Sequence, residues 1–502
     1  MNLLGAPSPF CHARFGRSLL GVLLVACLFL ADQVAIGEAA TRPLRTGVSY
    51  VYIEDTEEGP AAFQHVKEAG AKLTLTPLEW GRVVPEQRPA AWNPEDPTDS
   101  HYDWSRYDAW VRGAVAAGLT PVLQVRGAPR WAQRCGFVAI DTPCDMNPAD
   151  LAAFAAAAAR HYSGAFGNVP EVSYWQGPNE PNLSLFFLPQ FVDGKAASAD
   201  LYRTLINAFS AAVKAVDPTN LVISGGLGPI AVPKYTIGPM RFTRELLCMR
   251  GHNQPRPLPG DCDGGLNVDI YDIHPYTTGS PAHEGGVNDV QMGDLRKLTT
   301  LLKAADKAGR INGRFRHTPL WITELSWDSN PPDPGGLPPR ILNRWTAESL
   351  FKAWQAGVTD FFWFSLRDFQ TDPNLEAYES PESGLYFRGP TVAQDQPKPN
   401  FWAFRFPFVA YQDRKGNLSF WGRTPNSTAG KVVIQVRDGS RWTKVAVAKA
   451  AKGGVFEGST RTGYGTNRKG FVRAHAKKQS SVPFSMKPIG DFRHAPFGDP
   501  LN

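Results

Sequence analysis

The stretch Glu171-Val-Ser-Tyr-Trp-Gln-Gly-Pro-Asn-Glu-Pro-Asn182 decides how the rest of the chain is read. An apolar, aromatic run at residues 172–175 breaks at Gly177-Pro178. Pro181 forbids the strand from resuming, because proline has no amide proton to give to a ladder. Asn179 and Glu180 are thereby delivered just past a strand end. In a barrel of parallel strands the chemistry gathers at such C-terminal ends, so a second acid is to be sought on another strand. Pro319-Leu-Trp-Ile-Thr-Glu-Leu-Ser-Trp327 supplies one: a short apolar run that ends in Glu324, flanked by Thr323 and Trp327.

Two strand-end glutamates 144 positions apart suit glycoside cleavage. One carboxyl protonates the leaving oxygen while the other attacks the anomeric carbon or activates water. Asn179-Glu180-Pro181 on a fourth strand and Thr323-Glu324 on a seventh resemble the acid/base and nucleophile motifs of a large clan of retaining glycoside hydrolases. The clan is built on (β/α)8 barrels and includes the cellulase-like and β-xylosidase-like families. The resemblance implies an α/β fold, a (β/α)8 TIM barrel, in which Glu180 is general acid and then base. Glu324 is expected to stay ionised and attack, and Asn179 to hydrogen-bond the adjacent sugar hydroxyl. Neither a cofactor nor a metal is needed for this chemistry. Two other readings use the same residues: an inactive, secreted carbohydrate-binding barrel, and a transglycosylase that remodels polysaccharide.

Strand and helix patterns alternate along the barrel region. Residues 45–52 read as the first strand, followed by a helix bearing Phe63, Val66 and Ala69, and residues 71–76 as the second strand. Trp80 and the Tyr102-Asp-Trp104 turn resemble the same clan. Many members carry an arginine at the end of the second strand to brace the nucleophile, whereas this chain has Thr74 and Thr76 there. Arg126, at the end of a third strand over residues 121–126, is expected to take part of that role or to bind a carboxylate of its own. Asn147-Pro148 opens an alanine-rich helix as cap and first-turn proline. His274-Pro275-Tyr276 ends the sixth strand, where the clan uses a His and a Tyr to contact sugar and nucleophile. Trp363 falls near the end of the eighth strand and is expected to be an aromatic sugar platform or barrel core. Phe186, Phe187, Trp327 and the proline-rich loop at 331–339 are expected around the cleft.

Beyond residue 404 the texture changes to short alternating runs at 418–421, 431–436, 442–447, 454–456 and 470–473, which predict a small C-terminal β-sandwich. The expected division is a signal peptide at 1–39, the barrel at 40–404 and the β module at 405–502. Arg14 and Arg17 precede an apolar segment at 19–31, with Gly37 and Ala39 where a signal peptidase would cut. An uncleaved anchor is the alternative, although 13 apolar residues are short for a bilayer.

Cleavage would leave Cys135, Cys144, Cys248 and Cys262, an even number in an oxidising compartment. Two local disulfides are expected, Cys135 with Cys144 and Cys248 with Cys262. The net charge of +6 divides unevenly. Residues 403–502 hold 18 Lys or Arg and 5 Asp or Glu, whereas residues 40–402 hold 33 and 40. A basic module beside an acidic barrel predicts either a solvated basic surface or attachment to an anionic cell-envelope polymer. With a carbohydrate as the expected substrate, no nucleic-acid partner and no stable membrane span after removal of the leader are expected.

Overall fold

The computed structural model describes residues 42–51, 56–135, 142–258, 265–370, 380–461 and 470–497, with the backbone of 36–37. Of the expected leader at 1–39 only the backbone of 36–37 is described, paired in parallel with Val447 and Ala448, and Cys262 lies outside the described residues. Eight parallel strands form one sheet: β1 Arg45–Ser49, β2 Leu73–Glu79, β3 Thr120–Arg126, β4 Tyr174–Gln176, β5 Leu221–Ile223, β6 Tyr271–Asp272, β7 Leu320–Ile322 and β8 Val358–Phe364. Their spatial order runs β6-β7-β8-β1-β2-β3-β4-β5. Parallel bridges between Ile223 and Ile270, and between Leu227 and Ile273, close the ring. A helix follows each strand: α1 Gly59–Glu68, α2 Ser105–Ala116, α3 Pro148–His161, α4 Ser198–Val216, α5 Pro239–Leu246, α6 Leu295–Lys307, α7 Pro339–Ala356 and α8 Pro399–Arg405. This is the (β/α)8 barrel that the strand-end acids imply.

Each barrel strand alternates between the enclosed interior and the helix layer, because successive side chains on a strand point to opposite faces. Leu73, Leu75, Val122, Ile223, Ile270, Trp321, Phe362 and Phe364 form the interior, with Tyr50 beyond the end of β1. Near the strand starts, Arg45 pairs with Asp360 at 2.6 Å and lies over the Tyr174 and Trp321 rings. On the outside, α3 begins as the sequence predicts: the Asn147 side chain accepts from Ala149 N at 3.0 Å, and Pro148 occupies the first turn. The β2 strand runs further than the sequence indicates, through Pro77 to Glu79. Pairing with β3 continues opposite Gln124 and Arg126 and carries Glu79 to the barrel rim.

Beyond α8 come β9 Phe408–Gln412, β10 Asn417–Arg423, β11 Gly430–Asp438, β12 Arg441–Ala450, β13 Val455–Arg461, β14 Phe471–Ala476, β15 Gln479–Ser480 and β16 Phe484–Ser485. They form two sheets whose module strands pair antiparallel, β9-β10-β13 and one built on β12-β11-β14, the arrangement of a β-sandwich. Val432, Ile434, Val436, Ala446, Ala448, Val472 and Ala474 are buried in strict alternation along the second sheet. The five alternating runs in the sequence all fall on these strands. Residues 35–502 make one compact unit.

Candidate active site

The chain leaves β4 at Gln176 and turns at once, so that Glu180 adopts φ +38, a left-handed conformation that costs energy for any residue with a Cβ. Two backbone hydrogen bonds hold it there: Glu180 N donates to Gly226 O at 3.0 Å, and Glu180 O accepts from Leu183 N at 2.9 Å. The neighbouring strand end must be bare for the loop to fit. A Cβ on Gly225 would lie 1.8 Å from Pro178 O, and one on Gly226 would lie 2.0 Å from His274 Nε2. The glycine pair after β5 therefore admits both the Glu180 loop and the His274 ring.

His274 joins the two acids. Its Nδ1 lies 2.9 Å from Glu180 Oε1 and 3.6 Å from Glu324 Oε2. Its Nε2 contacts Thr323 Oγ1 at 2.9 Å, with Asp272 Oδ2 at 3.6 Å. The Tyr276 hydroxyl donates to Glu324 Oε2 at 3.1 Å, while Glu324 Oε1 has no hydrogen-bond partner among the described residues. Both glutamates are 7% exposed. Residues 180, 274, 276 and 324, singled out in the sequence, thus converge in one place.

Burial pushes Glu324 up to about 7; His274, the Tyr276 hydrogen bond and Arg126 pull it down, and Glu180 pushes it further up. Burial and Glu180 thus work against the expected ionisation of Glu324, while His274, Tyr276 and Arg126 work for it. Burial works to lower His274, but Glu324, Asp272 and Glu180 together raise it well above the usual imidazole range. The acids around the ring thus outweigh its burial and favour the protonated form of His274.

A polar network that strand patterning does not reveal supports the site from beneath. Gln176 Nε2 donates to Asp272 Oδ2 at 2.6 Å and to Thr323 Oγ1 at 3.2 Å. Thr323 N donates to Asp272 Oδ1 at 3.0 Å, and the Thr323 hydroxyl donates to Asp272 Oδ2. Gln124 Nε2 bridges Gln176 Oε1 at 3.2 Å and Asn179 Oδ1 at 3.1 Å. The Asn179 amide nitrogen has no hydrogen bond among the described residues, which leaves its protons for a ligand. Gln124, Gln176 and Asp272 are polar side chains near the ends of largely apolar, buried strands. That position is their only signal in the sequence.

Arg126 has a carboxylate of its own: its guanidinium donates to Glu79 Oε1 at 3.2 Å and to Tyr50 OH at 3.0 Å. Arg82 pairs with the other Glu79 oxygen. Arg126 reaches Glu324 through its charge. A cavity of 610 Å³ opens beside Tyr50, Thr76, Glu79 and Arg126, and neither catalytic candidate lines it.

The structure corrects the platform reading of Trp363. This side chain is fully buried on the helix side of β8, donates Nε1 to Ser383 O at 2.7 Å and packs against Trp327 and Phe404. Phe362 and Phe364 take the interior positions, and one residue of parity turns Trp363 outward. Phe364, 4.9 Å from the Tyr50 ring and 6.4 Å from that of Tyr276, is the aromatic at this strand end. Trp327 and Phe187 are likewise buried, Trp327 with its Nε1 donated to Thr277 O.

Of the four cysteines expected to pair, Cys135 and Cys144 form a disulfide. Cys248 is disulfide-bonded as well. The first bridge braces the loop beyond Glu180, since Asp145 N donates to Leu188 O at 2.6 Å and Leu188 N to Pro143 O at 3.0 Å.

No family model matches the chain, and no curated protein does. Among solved structures it is similar to a family 39 glycoside hydrolase from Bacteroides cellulosilyticus, with 18% identity over 84% of this chain and 80% of that one and a TM-score of 0.53. A glucosidase from Croceicoccus marinus shares 14% identity over 86% of this chain and 84% of its own, with a TM-score of 0.48. An endo-β-1,4-mannanase from Thermotoga petrophila shares 12% over 88% and 97%, with a TM-score of 0.42. At 18% identity, the first of these likenesses establishes the fold as a (β/α)8 barrel.

Proposed function

We propose that this chain is a secreted glycoside hydrolase that cleaves O-glycosidic bonds of an oligo- or polysaccharide by retaining double displacement. The observation that carries the proposal is the convergence of Glu180 and Glu324 on His274 Nδ1, at 2.9 and 3.6 Å. Two such legs meeting at one atom hold the nearest carboxylate oxygens within about 6.5 Å, where an inverting pair that must admit a water begins.

In the first step Glu324 attacks the anomeric carbon. The bond from that carbon to the leaving oxygen breaks, and Glu180 gives that oxygen its proton. In the second step water attacks the same carbon, Glu180 takes the water proton, and Glu324 leaves. Tyr276 occupies Oε2 of Glu324, so Oε1 is the uncommitted oxygen for attack. Asn179 is suited to donate its amide protons to the neighbouring sugar hydroxyl, and its oxygen is already held by Gln124. His274 positions both acids, and its charge helps Glu324 to ionise.

The likeness to the family 39 hydrolase fold supports this reading. Secretion is proposed on the apolar leader at 1–39 together with the disulfide chemistry of the barrel. The proposed division places the barrel at 40–404 and a β module at 405–502, whose basic surface is read as a tether to an anionic cell-envelope polymer. The deciding experiment assays the mature chain and its Glu324→Gln variant on a panel of chromogenic glycosides, with the anomeric configuration of the product followed by NMR. The expected result is hydrolysis with retention by the parent and none by the variant. Equal rates for the two, or an inverted product, would overturn the mechanism. An inert parent that still binds glycans would identify a carbohydrate-binding barrel instead.

A further inference from the structure

After β16 the chain does not remain with the β module. Residues 486–497 return to the rim of the barrel and lie across the segments that follow β6 and β7. Arg344 of α7 donates Nη1 to the carbonyls of Ser485 and Lys487 at 2.9 and 3.0 Å. Asp491 then accepts from Ser280 N at 2.9 Å and pairs with His283 Nδ1 at 2.6 Å. The Phe492 ring packs 5.1 Å from that of Trp345, and Asp328 N donates to Pro496 O at 2.8 Å. Chain ends fray unless something ties them. The described part of this tail, 486–497, is tied along its course and reaches the active site at Phe497.

The last described residue of the tail is Phe497. Its ring lies 4.9 Å from Tyr276, at 63°, and 6.0 Å from Phe364, at 64°. Tyr276 is the residue that holds Glu324. Phe497 is packed against the barrel interior yet only partly buried, and its ring meets that of the tyrosine that hydrogen-bonds Glu324. An open aromatic face is the surface on which the apolar C–H face of a sugar ring rests, and pockets for small ligands are walled in this way. With Trp363 turned to the helix side, the aromatic at the end of the eighth strand is Phe364, which is itself buried in the barrel interior.

We propose that Phe497, carried back across the barrel by the C-terminal tail, is a substrate-contacting wall of the sugar site. In this chain it supplies the aromatic surface expected of Trp363. The inference rests on the glycoside-hydrolase reading of Glu180 and Glu324. The tail is thereby part of the specificity of the site, and the clasp of Asp491 on His283 is a positioning contact for Phe497.

The test compares the parent chain with Phe497→Ala, Phe497→Leu, Phe497→Tyr and Asp491→Asn on the best glycoside of the panel. Loss of the flat face in the Ala and Leu variants is expected to raise KM about ten-fold or more, with kcat within about three-fold. The Tyr variant is expected to restore the parent KM, and Asp491→Asn to raise KM in the same direction. Leucine keeps the packing volume and removes only the ring, so Leu at parent KM would assign Phe497 to packing and overturn the proposal. A rise in kcat on shortening the side chain, with KM unchanged, would make the tail a plug and overturn it as well. A parent that hydrolyses nothing defeats the reading of the acids, and this inference falls with it. A parent that hydrolyses while all four variants match it defeats this inference alone.

Discussion

Tyr276 donates its hydroxyl proton to Oε2 of Glu324 at 3.1 Å, across 48 positions of sequence. That bond favours the ionised form of a carboxylate that burial pushes up to about 7. An attacking carboxylate must be charged, so kcat/KM is expected to rise with pH through about 7 as Glu324 loses its proton. Tyr276→Phe removes a stabiliser of the charged form. The acid limb should therefore move to higher pH, and the rate at the optimum should drop by about 2 kcal/mol of transition-state stabilisation. A pH profile of both proteins measures this, and a limb displaced to lower pH contradicts the assignment.

Glu180 is expected to matter in proportion to how badly the leaving group needs a proton. Glu180→Ala should reduce the rate on alkyl glycosides by about 10²–10⁴ while sparing a dinitrophenyl glycoside in the first step. Added azide, which needs no base, should then speed turnover and give a glycosyl azide of retained configuration. Absence of azide rescue would remove Glu180 from the acid/base role.

Gly226 is a steric requirement of the site. A methyl group there would stand 2.0 Å from His274 Nε2, so the imidazole must swing away from Thr323 and from both acids. Gly226→Ala should cost about 1–3 kcal/mol of stability through overpacking and lower kcat well beyond the loss in folded fraction. Calorimetry alongside kinetics separates these effects, and a normal kcat would show that His274 need not stay where it is.

The Cys135–Cys144 bridge lies beneath the loop that leaves Glu180. Replacing both cysteines by serine is expected to remove about 2–3 kcal/mol of stability by freeing the loop in the unfolded chain. Activity in the folded fraction should fall too, because Leu188 and the residues after Glu180 lose their brace. A melting temperature unchanged under reducing conditions would argue against the bridge.

The outward face of the β11–β12–β14 sheet groups like charges. Lys431 is paired with Lys449, Gln435 lies between Lys444 and Arg473, and the Arg473 guanidinium lies 4.2 Å over the Trp442 ring. If this face is the polymer tether, the protein should sediment with insoluble anionic polysaccharide at low salt and be released as the Debye length shortens. Lys444→Glu with Arg473→Glu should abolish the effect and leave hydrolysis of a small aryl glycoside untouched. Salt-independent binding, or binding unaffected by the double change, rules the face out.

Local pattern determined a good deal of this protein. The run 172–175 broken by Gly177-Pro178, and the run 319–323 ending in Glu324, mark strand ends because apolar periodicity and proline chemistry are properties of neighbours in sequence. The same logic located the five alternating runs of the C-terminal module and the cap of α3. Closure of the ring decided what lies across from what. It set His274 between Glu180 and Glu324, and Gln176 against Asp272 and Thr323, contacts that span 94, 96 and 147 positions. Trp363 shows the limit most plainly. Its strand was legible, but a shift of one residue exchanges the barrel interior for the helix layer, and only packing against Phe404 and Trp327 settled the face. Phe497 could not be found from periodicity at all, since the tail that carries it has no regular structure and is positioned entirely by the surface it crosses.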